Sequence, residues 1–212
     1  VLTGIKLDKT PPGGSMLING NATYTNSTSV TLTLLANDTT SGVYQIRLSN
    51  DSVWDTEPWQ EPSPTKNWAL SDGDGTKTVY YQVKDTAGLV SNTYSDSIVL
   101  DTTPPTGSII IHDGANYTTT TTVTLTLSAA DTTSSVAEMR FSNDNITYTK
   151  WQPYTTFETW KLEEPDGPKT VYVQFKDYLG LISTHSDTIV LDTVQPTGLL
   201  IINRGANYTN ST

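Results

Sequence analysis

The chain has 212 residues, no cysteine and a formal net charge of −10, with 22 Asp+Glu against 12 Lys+Arg. The acidic balance argues against a nucleic-acid binder, which needs clustered Lys and Arg for phosphate. Zero cysteine excludes disulfides, thiolate metal centres and a cysteine nucleophile. No run approaches the ~18 apolar residues of a membrane span. Thr and Ser together supply 58 residues, and nineteen aromatics suffice for a core, so the chain reads as folded despite its polarity.

In chain order, Leu7-Asp8-Lys9-Thr10-Pro11-Pro12 returns as Leu100-Asp101-Thr102-Thr103-Pro104-Pro105 and again as Leu191-Asp192-Thr193-Val194-Gln195-Pro196, at spacings of 93 and 91. Val30 to Leu34 alternates apolar and polar with period two, as do Val43 to Leu48, Val79 to Val83 and Asp96 to Leu100. Turn chemistry separates them at Ser49-Asn50-Asp51-Ser52, Asp72-Gly73-Asp74-Gly75 and Thr86-Ala87-Gly88. The same run of strands and turns recurs one period later, and no segment shows a 3.6-residue period. About seven strands in about 92 residues is the rhythm of an immunoglobulin-like sandwich.

These periods divide the chain into residues 1–7, the last strand of a preceding repeat; 8–100 and 101–191, two immunoglobulin-like repeats; and 192–212, the start of a further, truncated repeat. The expected class is all-β: tandem immunoglobulin-like (fibronectin III-like) sandwiches of about seven strands each. The proline pair between copies leaves almost no linker and favours extended backbone, so an end-to-end rod is expected. The repeat phase predicts a window on a longer tandem array, whose partners are further copies of the same repeat in the same chain.

The Asp-x-Thr-Pro-Pro junction and Val83-Lys84-Asp85-Thr86-Ala87-Gly88-Leu89-Val90-Ser91 resemble the bacterial and archaeal immunoglobulin-like repeats of large cell-surface, adhesin and filament proteins. The second copy reads Lys176-Asp177-Tyr178-Leu179-Gly180-Leu181-Ile182-Ser183; the Asn usual in that signature is Leu at 89 and 181. The resemblance implies an extracellular or cell-surface segment. It also implies calcium where repeats meet, with Asp8, Asp101 and Asp192 at the junctions and Asp85 and Asp177 on the turn before the last strand as candidate ligands. No other cofactor is expected.

Asn-x-Ser/Thr sequons stand at Asn21, Asn26, Asn37, Asn50, Asn116, Asn145, Asn207 and Asn210, about twice the number that the hydroxyl content gives by chance. They are candidate sites of N-linked glycans. Trp68 and Trp160, in Trp-x-Leu strands, are expected in the core. Trp59, Trp151 and Tyr154, with Trp54 and Tyr148 nearby, are candidates for a sugar-stacking platform or for aromatic caps on the sandwich edge. His112 and His185 hold different positions in their copies, and no nucleophile, phosphate-loop or metalloprotease motif occurs. The sequence therefore reads as a structural repeat segment of a glycosylated extracellular filament, stalk, surface-layer or adhesin protein, not an enzyme. Exposed strand edges offer lateral self-association. The alternatives are a carbohydrate-binding or adhesive module, and spacer domains of a secreted enzyme.

Overall fold

The structure, a computed structural model, describes residues 4–201 and Gly205. Two β-sandwiches follow one another. The first contains β1 (Gly13–Ile18), β2 (Tyr24–Thr25), β3 (Ser29–Asn37), β4 (Val43–Ser49), β5 (Thr65–Ala69), β6 (Gly75–Asp85) and β7 (Tyr94–Leu100). Its sheets run β1-β3-β5 and β2-β7-β6-β4. The second contains β8 (Thr106–Ile111), β9 (Tyr117–Thr118), β10 (Thr122–Ala130), β11 (Val136–Ser142), β12 (Gln152–Pro153), β13 (Phe157–Lys161), β14 (Gly167–Asp177) and β15 (Ile182–Leu191). Its sheets run β13-β10-β8 and β12-β11-β14-β15-β9. The all-β immunoglobulin-like architecture expected from the repeat is what the chain forms. Among the described residues no helix is long and apolar enough to cross a membrane.

Alternation builds each core. β3 turns Val30, Leu32 and Leu34 inward and leaves Ser29, Thr31 and Thr33 exposed; β10 does the same with Val123, Leu125 and Leu127. β6 buries Val79, Tyr81 and Val83, and β14 buries Val171, Val173 and Phe175. One further inward position along each strand falls on Asp85 and Asp177, which the same register buries. Burial pushes the Tyr81 hydroxyl up to about 12, with Tyr94 adding to the shift.

The first strand is divided between sheets. After β1, Asn19, Gly20 and Asn21 all take positive φ, which turns the chain so that β2 pairs in parallel with β7. The second copy makes the same move with His112, Asp113 and Gly114. A carboxylate closes the side of each sandwich: Ile18 N–H donates to Asp96 Oδ2 at 2.7 Å, and Ile111 N–H donates to Asp187 Oδ2 at 2.8 Å. Residues 5–8 match the end of β7 in sequence but form no strand. β7 is held on both sides, by β6 and β2, and residues 5–8 pair with neither.

By contacts the chain divides into two compact units. One is Val1–Gly107 with Ala129–Met139 and Phe175–Ser183; the other is Ser108–Ser128 with Arg140–Gln174 and Thr184–Thr212.

Leu125 is fully buried while its neighbour Thr124 is exposed. Leu125→Ala is expected to cost about 2–5 kcal/mol, and Thr124→Ala under about 0.5 kcal/mol. Urea titrations followed by tryptophan fluorescence check the contrast.

Candidate functional site

Two trios of aspartates bring one carboxylate oxygen from each member within 4.8 Å of the other two: Asp8, Asp38 and Asp85, and Asp101, Asp131 and Asp177. All six lie in the first compact unit. Asp8 and Asp101 sit three residues ahead of the proline pairs. Asp38 and Asp131 follow β3 and β10, and Asp85 and Asp177 end β6 and β14.

In all six, Oδ1 is held by backbone amides. Asp8 accepts from Thr10 at 2.9 Å and Asp101 from Thr103 at 3.2 Å. Asp38 accepts from Thr40, Ser41 and Gly42 at 3.1, 2.8 and 2.7 Å. Asp131 accepts from Thr133, Ser134 and Ser135 at 2.9, 2.8 and 3.2 Å. Asp85 accepts from Leu89 at 2.8 Å, and Asp177 from Leu179 and Leu181 at 2.8 and 2.9 Å. The Gly42 amide, ahead of those of Ser41 and Thr40, holds the Asp38 carboxyl below its usual range against a weaker effect of burial. The other oxygen differs: Oδ2 of Asp8, Asp85, Asp101 and Asp177 is buried without a hydrogen-bond partner among the described residues.

Four of the five aspartates singled out from sequence thus fall into the trios. Asp192 does not. It is exposed, though its Oδ1 accepts the Val194 amide at 3.2 Å just as Asp8 and Asp101 accept theirs. The sequence reading missed Asp38 and Asp131. Their signal was the recurrence of Asp-Thr-Thr-Ser at the same 93-residue offset as Asp8 and Asp101. Asp74, in the Asp-Gly-Asp-Gly loop, spends its carboxylate on Thr102 and Thr103, and Asp166 spends its own on Thr193.

The aromatic candidates are engaged by cations. The Arg47 guanidinium lies 4.4 Å from the Trp54 ring centre and 4.5 Å from that of Trp59, and the Lys84 ammonium stands 4.4 Å from Trp59 and 5.6 Å from Tyr44. In the second copy Arg140 lies 4.7 Å from Tyr148 and 4.4 Å from Trp151. Both arginines donate to a glutamine, Gln82 or Gln174, whose amide donates in turn to Thr93 or Thr184. Burial lowers the Arg47 pKa, with Glu57 opposing. Trp54, Trp59, Trp151 and Tyr154 are half-buried.

Trp68 and Trp160 are half-buried rather than enclosed: Trp68 packs against the first core and Trp160 stacks 5.5 Å from Phe141. Each indole N–H donates at 2.8 Å to an asparagine, Asn50 or Asn143. Asn50 also donates its amide N–H to Ala69 O at 3.1 Å, and Asn143 to Lys161 O at 3.4 Å. Asn143 does this without being a sequon, so this clasp is a requirement of the fold. The other described sequon residues, Asn21, Asn26, Asn37, Asn116 and Asn145, are exposed. Asn207 and Asn210 lie outside the described residues.

No family model matches this chain, and no curated protein sequence matches it. It is similar to the fibronectin(III)-like modules of Clostridium thermocellum CbhA, at 11% identity and a TM-score of 0.42, over 88% of this chain and 100% of that one. A tetra-tandem repeat in the extending region of a large adhesion protein gives 16% identity and a TM-score of 0.33, over 88% of this chain and 51% of that one. The D00-D0 domain of Intimin gives 10% and 0.38, over 84% and 99%. The sandwich assignment rests on this chain's own sheet order and burial.

Arg47→Ala is expected to destabilise the first sandwich by about 1–2 kcal/mol. Arg47→Lys is expected not to restore it, because an ammonium lacks the planar face between two indoles; urea melts of the two variants test this. Asp144 gives a pH prediction. The amides of Thr147 and Ile146, then the Ser142 hydroxyl, hold its carboxyl down to about 2 from 3.8. A depressed carboxyl stabilises the fold above its unfolded value and loses that contribution as pH falls through the folded one. Asp144→Asn is therefore expected to melt below the parent protein at pH 7 and with it at pH 2.

Proposed function

We propose that this chain is a structural repeat segment of a glycosylated extracellular filament, stalk or surface-layer or adhesin protein, and that its work is mechanical. One observation carries the reading. The two copies build the same kind of sandwich from corresponding strands, and only five residues, 101–105, separate β7 from β8. The side chains that recur between copies, the asparagine–tryptophan clasp and the arginine between aromatic rings, hold the chain to itself. This favours a load-bearing role over a sugar platform at Trp59 and Trp151, because Arg47 and Lys84 already lie against the Trp59 ring and Arg140 against the Trp151 ring.

The outer surface fits an extracellular setting. Exposed Thr and Ser line the outward positions of β3 and β10, and the five described sequon asparagines other than Asn50 are exposed. N-linked glycans at Asn21, Asn26, Asn37, Asn116 and Asn145 are the expected modification, with Asn50 spared because its amide is clasped to Ala69 O. Intact-mass and peptide mapping of native material is expected to show added hexose at several of the five and none at Asn50. Native protein carrying no added mass removes the glycosylated reading.

A further inference from the structure

We propose that a recess in the side of the first sandwich binds a small neutral ligand, an apolar ring bearing a carboxamide. The inference is independent of the filament reading, since it concerns side chains within one compact unit.

The recess has a volume of about 220 Å³ and is lined by Leu34, Leu35 and Ala36 of β3, by Pro62 and Pro64, and by Tyr81 of β6. It opens where the chain crosses between sheets: Gln60 exchanges backbone hydrogen bonds with Ile46 of β4, and by Thr65 the chain pairs with Thr33 of β3. A void of about 150 Å³ already holds a benzene ring, so one ring fits here with room for a polar group.

Two polar groups at the recess have no use in the fold. Tyr81 is 1% exposed, yet its hydroxyl makes no hydrogen bond among the described residues. The matching position of the second copy needs only Val173. The other group is the Leu34 carbonyl. Leu34 N–H donates to Pro64 O at 2.8 Å, continuing the ladder that pairs Leu32 with Lys66. An antiparallel partner at such a place returns its own N–H, and proline has none. In the second copy the matching acceptor for Leu127 N–H is Thr156, which keeps an N–H. Leaving polar groups unpaired in an apolar recess is unfavourable, and the first copy departs from the repeat at both places.

The ligand class follows from the lining. Among the described residues no charged side chain lines the recess, so the ligand is neutral. Proline and leucine side chains take an apolar body. The Tyr81 hydroxyl donates and the Leu34 carbonyl accepts, which a carboxamide answers with its C=O and its N–H. The Ser63 hydroxyl does not compete, because it donates to Thr65 O at 2.7 Å. The Tyr94 ring, 6.3 Å from that of Tyr81, and the fixed proline φ angles shape the recess before binding.

The test titrates the full isotope-labelled chain with benzamide and follows amide shifts by NMR. Saturable shifts are expected at Leu34, Leu35, Ala36, Ser63, Thr65 and Tyr81, with Kd on the order of 1 mM, and none at the matching Leu127, Ala129 and Val173. Methyl benzoate keeps the ring and the carbonyl but lacks the N–H, and is expected to bind about fivefold more weakly. Tyr81→Phe removes only the hydroxyl; it is expected to weaken benzamide about fivefold and to leave Tm unchanged or higher. Pro64→Thr copies the second repeat, returns an N–H to Leu34, and is expected to weaken benzamide likewise. No saturable shift up to about 10 mM, or equal shifts in the second copy, overturns the proposal. So does benzamide binding that is equal in the parent protein and either variant. A Tm loss in Tyr81→Phe overturns it as well, because the hydroxyl would then be bonded within the fold.

Discussion

The register of one long strand governs this molecule. In β6, and again in β14, alternate residues point inward, so Val79, Tyr81 and Val83 and their counterparts Val171, Val173 and Phe175 fill the two cores. The residues between them point outward: Gln82 and Lys84 reach the arginine and the aromatic rings, as Gln174 reaches Arg140. Two residues past the last core side chain, the same alternation forces Asp85 and Asp177 inside. A slip of one residue would put the core in water and disband both the aromatic ladder and the aspartate trios.

The outer face shows how a polar chain holds long connections in place. The segment between β4 and β5 lacks regular pairing over most of its length, and its two tryptophans, Trp54 and Trp59, enclose Arg47 of β4. A guanidinium there gains from both rings and still donates to Gln82. The second copy keeps the arginine and glutamine and exchanges a tryptophan for Tyr148, which supplies another π face. The tight turn after β4 is tied by Asp51 in one copy and Asp144 in the other, each accepting from a serine hydroxyl and from amides further on. Carboxylates in this chain thus serve chiefly as acceptors for backbone N–H groups. The trios stand out because in four of their members, Asp8, Asp85, Asp101 and Asp177, the second oxygen is buried with no such use.

Much of this was legible in the sequence. Strand alternation in Val30 to Leu34 and Val79 to Val83 predicted both the elements and the inward residues, because a half-buried strand leaves a period-two trace. The tandem offset predicted that Asp101 would repeat Asp8 and that Asp177 would repeat Asp85. The partners of Trp59 and Trp151 were not legible, since Arg47 and Arg140 meet them only after the chain folds back from a loop to a strand. The place of Trp68 at the rim, bound to Asn50, was equally hidden: a Trp-x-Leu pattern marks an inward-leaning strand but not how far the sheet covers it.

The sequence by itself determined the repeat, the all-β class and the identity of the core, because these follow from composition and from patterns within a few residues. Tertiary structure alone decided that Asp38 and Asp131 join aspartates 30 to 47 residues away in sequence. It also decided that one oxygen of each buried acid stays unpaired and that Asn50 is a clasp as well as a sequon. Those facts depend on which strand ends and turns converge, and on which lone pairs the backbone has already taken, and neither is written in local pattern.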